Sequence, residues 1–309
     1  MTSKLDHSSA VSGASSAWPS VRTAAPHIRT IFISILLLVA FWPILTRMYG
    51  SWFDPNLYME HGILVVPAAA YMVWTKREKL SQVPRRSSFW GLGLLLCGAL
   101  QATLGLAAQW VWITRMGFLF SLIGLVMTLY GPRMVRELVY PLCTLTLMIA
   151  PPSFVYERLT IDLQLLASRL GETFLEAIGY SVMRDGNILE LVGIKLSVEE
   201  ACSGLRSLLS ILFMCTLYNY FFVKGAGQRT LILLLAIPVA ILGNAGRIVA
   251  TGIASQYNRE LIKGVSHEAF GYISVVVAGV GCVLIHLLML YIQKTWRSRQ
   301  APELRLGNS

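Results

Sequence analysis

The chain has 309 residues, of which 55% are hydrophobic and only 14% charged, and its mean hydropathy is +0.61. A soluble domain needs about a quarter charged residues to cover its surface, so a water-soluble globular protein is excluded and membrane lipid is the expected solvent. The formal net charge of +10 does not mark a nucleic-acid partner, because the Lys and Arg sit in short connections between apolar runs, where they orient helices.

Residues 1–29 are expected to form a disordered cytoplasmic tail, since the stretch up to Pro26 is rich in Ser and Ala and has no long apolar run. No small-residue cleavage site clearly follows the first apolar segment, which is therefore expected to stay as a helix rather than be removed as a signal peptide. Apolar runs lie near 30–49, 58–74, 89–108, 112–130, 138–154, 201–222, 230–255 and 270–292. The second is short and the fourth contains Arg115. Basic residues cluster in every second connection: Lys76 to Arg86, Arg133 with Arg136, Lys224 with Arg229, and Lys294 to Arg299. Under the positive-inside rule these connections are cytoplasmic, and the alternation closes only if both termini are inside. The expected fold is therefore an all-α integral membrane protein of about eight transmembrane helices. Residues 30–293 form the membrane domain and 294–309 a cytoplasmic tail.

One sizeable external segment remains, from about 151 to 200. In its first half Leu159, Leu163, Leu166, Leu170, Phe174 and Ile178 recur at intervals of three or four, which predicts an amphipathic helix at the interface. In its second half two β-prone runs, 182–191 and 194–198, flank Val192-Gly193, and Asp185-Gly186 interrupts the first of them. They predict a small β-hairpin before the sixth span.

Of five cysteines, Cys97, Cys143, Cys215 and Cys282 fall inside apolar runs, where a thiol is usually a small packing residue. Cys202 stands where the external segment enters the sixth run, at a helix N-terminus whose dipole favours the thiolate. Arg206 follows one turn later and would add to that effect. Arg247 lies some 17 residues into the seventh run, about 25 Å along a helix, with Asn244 three residues before it. An intramembrane Arg is either a snorkelling or structural residue or a donor aimed at an internal site. His267, beside Glu268 before the eighth run, could take or give a proton, and His61 competes with it for that role. His286, deep in the last run, reads as a packing residue. The candidate nucleophile, cation and base come from three separate spans and share the outer face.

The run Glu200-Ala201-Cys202-Ser203-Gly204-Leu205-Arg206-Ser207, then Asn244-Ala245-Gly246-Arg247-Ile248, then His267 with Gly271, resembles the exosortase/archaeosortase family. Asp54, Tyr58, His61-Gly62 with Pro67, and Pro151-Pro152 agree with it, although 57–61 departs from the family's Tyr-Ser-His pattern. The resemblance extends from about 51 to 290. It implies a cysteine peptidase or transpeptidase of the inner membrane of Gram-negative bacteria that secrete exopolysaccharide. The substrates it implies are exported proteins ending in a Pro-Glu-Pro-like motif, a transmembrane helix and a basic cluster. Cys202 would then be the nucleophile, Arg247 the stabiliser of the transition state and His267 the acid/base, with water or a surface acceptor amine resolving the acyl-enzyme. Glu200, Ser203, Arg206, Asn244, His61 and Glu268 would support them. No metal, organic cofactor or fused C-terminal soluble domain is expected. The alternatives are an exopolysaccharide-precursor transporter, which the spans and Arg247 would suit, and a non-catalytic membrane assembly protein that docks through the external segment.

Overall fold

The computed structural model describes residues 21–54, 57, 59–192, 194–198, 204–257 and 264–306, with the backbone alone for 21–29, 264–268 and 297–306. It divides into two units, 1–42 and 43–309. The first holds α1 (Val21–Ala40), which starts nine residues before the expected boundary at 30 and exposes Ile31, Phe32, Ile35 and Leu36.

In the second unit α2 (Trp42–Trp52, its first residue still in the first unit) leads to α3 (Gly62–Thr75) and the short α4 (Arg77–Gln82). A tight helical pair follows, α5 (Phe89–Ala107) and α6 (Val111–Tyr130). Its closeness is written in small residues at sevenfold spacing: Gly91, Gly98 and Gly105 on α5, Gly117 and Gly124 on α6. A Cβ on Gly98 would lie 2.6 Å from the Ser121 backbone nitrogen, and one on Gly117 2.6 Å from the Gly98 carbonyl. Between spans there is no water to expel, so such backbone contact is what holds helices together in lipid.

The expected fifth span is not one helix. After α7 (Pro132–Glu137) come α8 (Val139–Thr144) and a 3-10 turn (Leu145–Met148). The chain then breaks before Pro151-Pro152 and resumes, bent by 77°, as α9 (Ser153–Ala177). Pro lacks the N–H that would continue the helix and forces the residue before it out of helical geometry. The predicted amphipathic helix is α9, with Leu175 fully enclosed and Leu159, Ile161 and Leu165 exposed.

The predicted hairpin is corrected to a three-stranded antiparallel sheet in the order β1 (Val182–Asp185), β2 (Ile188–Leu191), β3 (Ile194–Ser197). Asp185-Gly186 does not interrupt one strand but begins a second tight turn. Gly186 has φ 61° while Asn187 does not have a positive φ, the signature of a type II′ connection. The Asn187 side chain donates to the Val198 carbonyl at 3.0 Å, and Val198 N–H donates back to the Asn187 carbonyl. Leu189, Leu191 and Val198 pack with Ala167 and Leu175 of α9 and with Ile248 further along. The two fully enclosed leucines each contribute about 1.5–3 kcal/mol of transfer free energy. Arg184 pairs with Glu172 at 2.8 Å and clamps sheet to helix.

The remaining helices are α10 (Leu205–Phe222), α11 (Ala226–Tyr257) and α12 (Gly264–Leu306). Ile211, Cys215, Ile232, Ala236, Ala240, Ala278 and Cys282 form their common core. Cys97 and Cys143, expected to pack, are instead exposed. His286 is buried, with its Nδ1 2.7 Å from the Tyr218 hydroxyl. α12 runs to Leu306, through the segment expected to be a tail.

Among the described residues five helices are long and apolar enough to cross a membrane: Phe89–Ala107, Val111–Tyr130, Leu205–Phe222, Ala226–Tyr257 and Ala269–Trp296. The pairs Thr30–Ala40 with Trp42–Trp52 and Val139–Met148 with Ser153–Ala177 meet that standard only when each is taken together, giving up to seven. The 14-residue α3, expected as the second span, covers about 21 Å at 1.5 Å per residue, short of the roughly 30 Å hydrocarbon core. The protein is a multi-pass membrane protein, with five to seven candidate spans.

Candidate active site

α3 orders the second unit into two ends. At its C-terminus Lys76 Nζ donates to the Glu137 carbonyl at 2.9 Å, and Lys79 pairs with the Glu137 carboxylate at 2.7 Å. The Lys79 ammonium holds that carboxyl below its ordinary range. The Tyr220 hydroxyl, near the end of α10, donates to the Met72 carbonyl at 2.8 Å. At the other end His61 Nε2 lies 3.1 Å from the Leu147 carbonyl, and Trp52 Nε1 donates to the Met148 carbonyl at 3.0 Å. The basic connections therefore gather at one end and His61 stands at the opposite one.

It is at the His61 end that several segments meet. Arg206, on the first turn of α10, pairs with Glu60 at 2.7 Å and donates from Nη2 to the Tyr272 hydroxyl of α12 at 3.3 Å. Gly271, next to Tyr272, lies under Arg247 of α11: a Cβ there would be 3.3 Å from the guanidinium carbon. Gly204, immediately before α10, has φ 88°, and a Cβ on it would be 2.9 Å from Asn244 Nδ2. L-residues other than Gly reach this left-handed backbone only at a cost of about 1–2 kcal/mol, so Gly meets both the conformational and the spatial demand. Arg247 and Asn244 are buried, at 7% and 2% exposure. Ile248, their neighbour, belongs to the core under the sheet. The layer of α9 and the sheet and the entry into α10 are thus both keyed to one stretch of α11.

Asn244, Arg247, Arg206 and His61 are placed by the structure. Glu200, Cys202 and Ser203 lie outside the described residues; Cys202 is two residues before Gly204 in the chain. His267 and Glu268 are described by backbone alone, with His267 one helical turn before Gly271 on α12. His61 is 7% exposed, and its Nδ1 has no hydrogen-bond partner among the described residues. Sequence reasoning did not single out Glu60 or Tyr272, the partners of Arg206. The signal available was adjacency, since Glu60 precedes His61 and Tyr272 follows Gly271.

Apolar spans with a polar cluster gathered at one end define a multi-pass membrane protein, with that cluster as its candidate site. Residues 52–286 match the family described as Transmembrane exosortase (Exosortase_EpsH), and the chain belongs to this family. No curated protein and no solved structure matches the chain.

Proposed function

We propose that the chain is a membrane cysteine peptidase or transpeptidase that removes C-terminal sorting signals from exported proteins. The observation that carries this reading is the double contact on α11, Gly204 against Asn244 and Gly271 against Arg247. It supports a site in which the segments bearing Cys202 and His267 flank a buried cation. The Cys202 thiolate attacks the backbone carbonyl near a Pro-Glu-Pro-like motif, and the Arg247 guanidinium donates to the oxyanion that forms. Collapse breaks the C–N bond. The departing amine, which carries the transmembrane helix and basic cluster, takes a proton from His267. Water or a surface acceptor amine then attacks the thioester, gives up its proton to the same imidazole, and frees the thiolate.

The proposed setting is a bacterial inner membrane with both termini cytoplasmic and the site periplasmic. The test follows a substrate carrying such a signal, intact versus trimmed, in membranes holding Cys202→Ala or Arg247→Gln. The first variant should accumulate normally and trim nothing; the second should trim about 10²–10³ times more slowly. Trimming at the normal rate by Cys202→Ala would remove Cys202 as the nucleophile.

A further inference from the structure

Arg115 has no place in this chemistry, yet it is a charge inside a span. It stands one turn into α6, is 7% exposed, and makes no hydrogen bond, ion pair or ring contact among the described residues. A guanidinium removed from water without a counter-charge is strongly unfavourable. Arg115 lines a cavity of about 430 Å³ between α2 and the α5–α6 turn, together with Arg47 and Gln109. Among the described residues no Asp or Glu contributes to its wall. Thr114, also in the wall, already donates its hydroxyl proton to the Trp110 carbonyl at 3.0 Å. The donors left for a ligand are two guanidinium forks and one carboxamide.

The backbone supports the same focus. Gln109 has φ 56°, the one non-glycine with positive φ among the described residues. It closes α5 in a Schellman motif, with Trp110 N–H bonded to the Gly105 carbonyl at 2.7 Å and Gln109 N–H to the Leu106 carbonyl at 3.2 Å, at a position where Gly is usual. This turn lies at the end of the hairpin opposite Arg86, whose N–H bonds to the Tyr130 carbonyl. The cavity is therefore at the non-basic end. Pro43, Ile44, Leu106 and Val111 supply apolar wall, and Trp110 and Val111 are each 58% exposed beside it. An anion carried on an apolar body fits such a lining better than a fully hydrated one.

The geometry points to an anion site in this cavity that takes the phosphate of a membrane lipid at the non-basic end of the spans. Two guanidinium groups match phosphate oxygens in charge and in fork geometry. None of the wall residues belongs to the Arg206–Arg247 cluster, so the site is separate from the proposed active site.

The test uses the full chain in mild detergent and measures binding of dioctanoyl phosphatidylglycerol, dioctanoyl phosphatidylcholine and inorganic phosphate. Saturable binding of phosphatidylglycerol is expected, stronger than that of phosphatidylcholine. Arg115→Gln should weaken it about ten-fold or more, as expected for loss of a charged hydrogen-bonding group. Arg47→Gln should weaken it in the same direction; Arg47 is exposed, so this variant keeps the question answerable if Arg115→Gln fails to fold. Inorganic phosphate binding as tightly as the lipid, with the same dependence on arginine, would keep the anion site and overturn the lipid as its source. Phosphatidylglycerol binding that is absent, or indifferent to both substitutions, would overturn the proposal.

Discussion

Gly204 sits under two constraints, a left-handed backbone and the Asn244 side chain 2.9 Å from where a Cβ would be. Gly204→Ala should therefore shift the entry into α10, two residues from Cys202. We expect trimming to fall about ten-fold or more, since a misplacement of about 1 Å can cost 10²-fold, while helix content and accumulation stay near wild type. Unchanged trimming would show that this contact does not position the nucleophile. The Arg206–Glu60 pair is different: with Arg206 28% and Glu60 45% exposed, it contributes only about 0–1 kcal/mol, and its use is to join the turn before α3 to α10. Cys202, Arg247 and His267 could be picked out of the sequence by residue type and by depth along a span. Glu60 and Tyr272 could not, because depth says nothing about which helices are lateral neighbours.

Among the elements, α9 and the sheet depend on close approach to α11. A Cβ on Gly171 would meet Ile248 Cγ2 at 2.8 Å and Leu189 Cδ1 at 3.3 Å. Gly171→Leu should push α9 off α11 and destabilise that layer by about 1–3 kcal/mol. Limited proteolysis would then cut 178–198 faster than in the wild type; equal rates would contradict the packing described. The periodicity of α9 was legible in the leucines from Leu159 to Leu170. The third strand was not, because Asp185-Gly186 looked like an interruption and only the pairing of Asp185 with Ile188 shows it to begin a turn. The break at Pro151-Pro152 was legible as residues, but it was read as the edge of a span rather than as a bend between a short helical piece, Val139–Met148, and the long α9.

At the scale of the whole molecule, hydropathy located the apolar runs and charge placed the connections, but neither fixed helix length. α12 continues as helix beyond its apolar part, since helical hydrogen bonding does not stop where hydrophobicity does. α3 is shorter than its apolar run, because its first helical residue, Gly62, comes after the Glu60–His61 turn. In a background lacking the native cysteines, Lys195→Cys should react with a membrane-impermeant maleimide from the periplasmic side, and Ser81→Cys only after permeabilisation. Both side chains are exposed, so labelling of both from one side would contradict the proposed orientation. The most direct test of the account is the mass of the enzyme itself, acid-quenched during turnover of a sorting-signal substrate. It predicts an adduct equal in mass to the N-terminal product less one water, mapped to the peptide containing Cys202 and absent in Cys202→Ala; an adduct on another residue, or trimming with no dependence on Cys202, would contradict it.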